Sequence, residues 1–245
     1  MRLSVVVPAY NEARRLGTTL PRMLEYVARS GEPAEIIVVD DGSRDGTGDV
    51  VTGVARTARA PIEIRLLQSA HNRGKGASVR RGMLAARGAD VLFTDADLSA
   101  PIEEAAKLRA RLADGYDVAI GSRRLAGADI QVRQGWTRRL AGGAFSGLVA
   151  TLVLPGVADS QCGFKAFRHA AAEAIFRRQR LDGFGFDVEI LWLARRLGYR
   201  MTEVPIVWRD DPRSHIRLVR DSAGMLLDVA RVRLNAWRGA YDRES

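Results

Sequence analysis

The chain has 245 residues, 47% of them hydrophobic and 7% aromatic, with a net charge of +9; these are the proportions of a globular protein with a sizeable core. Its one cysteine, Cys162, excludes an intrachain disulfide and fits a reducing compartment, and three scattered histidines (His71, His169, His215) make no zinc pattern. The N-terminal apolar run Leu3–Pro8 is too short for a secretory signal, and the longest later one, Ala144–Pro155, is too short to span a bilayer.

In chain order, short β-branched runs at Leu3–Val7, Ile36–Val39, Ile62–Leu67, Val91–Phe93 and Val118–Ile120 read as buried strands. Between them, Arg14–Arg29, Asp45–Arg59, Lys75–Arg87 and Ile102–Ala113 have helical length. That alternation predicts an α/β fold with a parallel sheet and right-handed crossovers, in which ligands bind beyond the carboxyl ends of the strands. Beyond residue 121 the alternation loosens. Helices are expected over 134–153, 186–197 and 216–238, with a strand at Met201–Val207. Leu218, Met225, Val229 and Val232 recur at helical spacing among arginines, which fits either core packing or a membrane-surface helix. No repeat or linker divides the chain, so residues 1–245 read as one domain with two halves, 1–120 and 121–245.

Charge separates these halves. Residues 1–120 hold 17 Lys and Arg against 16 Asp and Glu; residues 121–245 hold 21 against 13. An arginine-rich composition (35 of the 38 basic residues) explains the choice of Arg but not the asymmetry, which points to an anionic partner for the second half. The basic half has no aromatic-interleaved patch or nucleic-acid motif.

Polar, Gly-rich segments follow five successive strands: Pro8-Ala9-Tyr10-Asn11-Glu12, Asp40-Asp41-Gly42-Ser43, Asn72-Arg73-Gly74-Lys75-Gly76, Asp95-Ala96-Asp97 and Gly121-Ser122-Arg123. Two carboxylates one residue apart at a strand end can share a hard divalent cation; the alternative is a solvated acidic loop. Asp40-Asp41-Gly42-Ser43 fits an Asx turn in which Asp40 or Ser43 caps the next helix, and it can leave the Asp41 carboxylate as a hydrogen-bond acceptor for a ligand. Tyr10 fits a wall for a base and ribose, or core. Two glycines and Lys75 ahead of a helix suit an anion, or simply start the helix.

This ordered set resembles the family 2 inverting glycosyltransferases over nearly the whole chain. Asp159-Ser160-Gln161-Cys162-Gly163-Phe164-Lys165 and Phe186-Asp187-Val188-Glu189 are similar to segments of its dolichyl-phosphate β-glucosyltransferase branch, with mannose synthases next nearest. The resemblance implies a GT-A nucleotide-sugar fold and metal-dependent transfer of glucose from UDP-glucose to a polyprenyl phosphate. GDP-mannose as donor, a soluble acceptor and a non-catalytic nucleotide-sugar-binding module are the alternatives. It implies Pro8, Tyr10, Glu12, Asp41, Lys75 and Asp95 as donor contacts, and Asp95 and Asp97 as ligands of Mg²⁺ or Mn²⁺. Asp159 joins Asp97 as a catalytic candidate, with a loop cap as its alternative. Arg123, Arg138 and Arg213 become candidates for the acceptor phosphate, because guanidinium forks match phosphate oxygens. Two departures stand out. Ser99 replaces the Gln common in mannose synthases, and Ser214-His215 replaces the usual Ser-Lys. The expected location is cytoplasmic, peripheral at the inner face of the cell membrane, with no nucleic-acid partner.

Overall fold

The computed structural model describes residues 1–132, 153–209 and 218–242. Strands β1 (Leu3–Ala9), β2 (Ala34–Asp40), β3 (Ile62–Gln68) and β4 (Asp90–Thr94) alternate with helices α1 (Ala13–Arg29), α2 (Thr47–Ala55) and α3 (Lys75–Ala85). A 3₁₀ turn at Ile102–Glu104 leads into α4 (Ala105–Ala113), followed by β5 (Val118–Ser122) and β6 (Asp129–Val132). Then come β7 (Phe164–Arg168), α5 (His169–Arg178), α6 (Phe186–Arg196), β8 (Met201–Pro205), β9 (Val207–Arg209) and α7 (Leu218–Trp237).

The main sheet has seven strands in the order β3-β2-β1-β4-β7-β5-β8. All neighbours pair in parallel except β7, which runs antiparallel to both β4 and β5. Both faces are covered, so the strands read as continuous apolar runs. Val5, Val7, Ile36, Val38 and Leu92 face one core with α1 and α4; Val6, Ile37, Val39, Val91 and Phe93 face a second core with α3, α5 and α6. In α1 the buried residues Leu16, Leu20, Met23 and Val27 follow a 4-3-4 spacing, which lays one stripe on the sheet. Each such side chain contributes about 1.5–3 kcal/mol on burial.

The parallel α/β expectation therefore holds with one correction. The antiparallel β7 and the helix behind it, α5, were not expected. In Phe164-Lys165-Ala166-Phe167 a lysine interrupts the apolar run, yet Lys165 is fully buried and pairs with buried Asp187 of α6. The strand expected at Met201–Val207 divides instead. Pro205 ends the β5 ladder opposite Ser122, and the chain moves on to pair β9 with β6 in a separate two-stranded sheet. The helix expected at 134–153 lies almost wholly outside the described residues.

Candidate active site

The carboxyl ends of β1, β2 and β4 and the segment after β3 open on one cleft of about 530 Å³. Its lining includes Pro8, Tyr10, Glu12, Asp41, Lys75, Asp95 and Asp97. All seven candidates for donor and metal are thus brought together. Tyr10 is 47% exposed at this opening, so it is not a core residue.

Hydrogen bonds tie the loops to one another. Asn11 N–H donates to Ser43 Oγ, and Arg44 N–H donates to Asn11 Oδ1. Asp45 accepts from the backbone N–H groups of Ala13 and Thr47. Asp40 accepts from Ser43 N–H at 3.0 Å, which closes a turn, but neither residue caps α2 as expected: that helix begins after Gly46, whose left-handed backbone starts it without a side-chain cap. Asp41 accepts from Arg73 N–H at 3.0 Å and Gly74 N–H at 2.8 Å, one on each oxygen. Asp41 itself is part of the cleft lining. Gly74 has φ +110°, and a Cβ there would stand 2.4 Å from the carbonyl oxygen of Asp182. Glycine thus lets the start of α3 slide under the 181–185 segment, which carries Phe184 to the mouth of the cleft.

At the end of β4 the chain turns sharply, with Leu98 at φ +51°. Leu98 N–H donates to the Asp95 carbonyl and Ser99 N–H to Asp97 Oδ1. Burial and the neighbouring Asp95 raise the pKa of Asp97, so a second negative charge is held there against its preference. Lys75 Nζ sits 2.7 Å from Asp95 Oδ1. Burial works against the Lys75 charge, but Asp95 and Asp187 outweigh it and raise its pKa. Asp95 also lies against Gly163, where a Cβ would fall 2.1 Å from Asp95 Oδ2.

Among the described residues no cluster of three or more His, Cys, Asp or Glu could enclose an ion. Two carboxylates in one cleft, one destabilised by the other and one already gripping a cation, nevertheless fit a divalent metal that takes its other ligands from phosphate and water.

The acceptor-side candidates are placed differently. Asp159 is fully buried and outside the cleft lining. Arg123 Nε and Nη2 donate to its two oxygens, both at 2.7 Å, and Arg123 N–H adds a third bond at 2.9 Å. The Asp159 backbone is held in turn by Glu203, which accepts its N–H and that of Ala158. Burial opposes the Asp159 charge, but Arg123 overcomes it and holds the pKa below the usual carboxylate range. Cys162 N–H donates to the Asp159 carbonyl, and burial together with Asp159 pushes its thiol up to about 12, leaving it inert. Arg138 and Arg213 lie outside the described residues. Sequence reasoning did not find Arg15, Ser78 or Phe184 in the lining; of these, only the aromatic between two glycines, Gly183-Phe184-Gly185, left a visible signal.

Residues 4–176 match the model of glycosyl transferase family 2, and the chain belongs to that family. It is a glycosyltransferase with the GT-A fold. It is 33% identical to a dolichyl-phosphate beta-glucosyltransferase of Dictyostelium discoideum, over 99% of this chain and 77% of that one. A protein of the same name from Drosophila melanogaster is 37% identical over 86% of this chain and 68% of its own length. Among solved structures, glucosyl-3-phosphoglycerate synthase from Mycobacterium tuberculosis, bound to Mn²⁺, UDP-glucose and phosphoglyceric acid, superposes with a TM-score of 0.66 at 19% identity, covering 94% of this chain and 79% of that one.

Proposed function

We propose that this protein transfers glucose from UDP-glucose to a polyprenyl phosphate with inversion at the anomeric carbon. What carries the reading is one cleft whose lining gathers Tyr10, Asp41, Lys75, Asp95 and Asp97. The name shared by the two relatives supports the substrates. Uracil packs by Pro8 and Tyr10, with Asp41 accepting from its N–H and Glu12 beside the ribose. Asp95 and Asp97 would hold Mg²⁺ or Mn²⁺. When bound, such an ion neutralises charge that builds on the departing diphosphate. Lys75 adds a fixed positive charge to the same region.

The acceptor needs little activation. A phosphate monoester has a second pKa of about 6 and is largely dianionic near neutrality. One of its oxygens attacks the anomeric carbon opposite the diphosphate, the bond from that carbon to the diphosphate breaks, and UDP leaves. Asp159 aims the Arg123 guanidinium, which also lies 4.7 Å from the Trp208 ring, and Arg124 adds a second charge near Asp159. Their role is to steady the acceptor phosphate; no proton need be removed.

The acceptor brings the enzyme to a membrane surface, at the cytoplasmic face. No helix among the described residues is long and apolar enough to cross a bilayer. Helix α7 offers a peripheral contact. Val232 faces the core, while Leu227, Leu234 and Trp237 are exposed, Trp237 at 84%. Arg231 and Arg238 lie exposed within the same arc, where they suit anionic headgroups.

The test is direct. Purified protein is incubated with radiolabelled UDP-glucose, UDP-galactose or GDP-mannose, polyprenyl phosphate and Mn²⁺. Label entering the organic phase from UDP-glucose alone is the expected result; transfer only from another donor, or none, rejects the assignment.

A further inference from the structure

Ser78 stands in the second turn of α3, lines the cleft and is 3% exposed, yet its Oγ has no hydrogen-bond partner among the described residues. Helical hydroxyls usually bond back to the carbonyl four residues earlier. Three others among the described residues do so: Thr18 Oγ1 donates to Arg14 O at 3.4 Å, Thr19 Oγ1 to Arg15 O at 3.0 Å and Thr52 Oγ1 to Gly48 O at 2.9 Å. At Ser78 the corresponding carbonyl, Gly74 O, accepts the Ser78 backbone N–H instead. A buried hydroxyl left without a partner destabilises the fold, so alanine would suit this position better if packing were its whole purpose.

The surroundings say what the hydroxyl meets. Ser78 lies one helical turn from Lys75, on the same side of α3, and both line the cleft with Asp95. The N-terminus of an eleven-residue helix carries partial positive charge and favours an anion. Asp41 is fastened to Gly74, at the entry to the same turn. We infer that Ser78 is a donor-binding residue whose hydroxyl donates a hydrogen bond to a phosphate oxygen of the nucleotide diphosphate. This rests on the reading of the cleft as a nucleotide-sugar site and assigns it a further contact.

The test compares wild type with Ser78→Ala, and with Ser78→Cys as a near-isosteric weaker donor. UDP and uridine binding are measured by calorimetry with Mn²⁺ present, and thermal unfolding is followed without nucleotide. A hydrogen bond to a charged oxygen makes UDP binding about tenfold weaker in Ser78→Ala. Uridine binding stays unchanged, and the melting temperature without UDP stays level or rises. Ser78→Cys shifts UDP affinity in the same direction. UDP binding unchanged in both variants, or uridine weakened as much as UDP, overturns the assignment while leaving the cleft a nucleotide site. Failure of the wild type to bind UDP overturns the site reading itself, and this contact with it.

Discussion

Arg123 and Asp159 form a closed fork: one guanidinium occupies both oxygens of a carboxylate that solvent does not reach. A carboxylate so engaged, with its pKa held down, is a poor base. Asp159→Asn is therefore expected to keep activity within about tenfold of wild type, with a flat profile above about pH 7. A steady-state pH series checks this; collapse at neutral pH with recovery in alkali would assign the proton to Asp159.

The same pair has a stability consequence of definite sign. Because the folded pKa of Asp159 lies below its unfolded value, the stabilisation is complete above about pH 4 and disappears as acid takes the pH through the lower, folded value. Melting temperatures between about pH 5 and 3 should fall more steeply for wild type than for Asp159→Asn. Parallel slopes would show that the fork adds no pH-dependent stability.

Gly163→Ala is expected to disable the metal end of the cleft, since the added carbon overlaps Asp95 Oδ2. We expect activity to fall about a hundredfold and Mn²⁺ to lose its effect on UDP binding, with the fold retained by circular dichroism. Gly53→Ala is the control. It sits inside α2, where its added carbon would meet nothing within 4 Å beyond its own stretch of helix, and should raise stability by about 0.5–1 kcal/mol. Normal Mn²⁺ dependence in Gly163→Ala would mean that Asp95 is not a ligand.

Lys75 neutralises Asp95 where an incoming ion would act. Lys75→Met should bind Mn²⁺ severalfold more tightly without nucleotide while binding UDP more weakly, because the donor loses a cation that the ion no longer has to displace. Paramagnetic titration of Mn²⁺ with and without UDP measures both. Weaker Mn²⁺ binding without UDP would contradict this competition.

Membrane contact through α7 predicts that Leu227→Glu with Trp237→Glu abolishes sedimentation with vesicles containing anionic lipid and leaves UDP affinity unchanged. Vesicle binding by the double variant at wild-type level would place the contact elsewhere.

The alternating strands, both faces of the sheet and seven cleft residues from β1 to β4 were legible in the sequence. The strands and their polar ends were local patterns, β-branched runs for burial and then Gly, Asp and Asn where strands must stop, whereas the cleft roles of Pro8, Tyr10, Glu12, Asp41 and Lys75 came from the ordered motifs and the family they resemble. Strand β7 was not, because Lys165 looks like a surface residue until α6 delivers Asp187 to neutralise it across 22 positions of chain. Ser78 was equally hidden, since an exposed helical serine and an unpartnered buried one are spelled alike.

Local residue chemistry by itself determined that this is an α/β protein with polar loops at its strand ends, because strand burial and turn formation depend on neighbours in the chain. Long-range packing alone decided that Asp159 turns to Arg123, that Asp95 rests between Lys75 and Gly163, and that one strand reverses. Those arrangements balance charges far apart in sequence, and only the folded chain brings such charges within hydrogen-bonding distance.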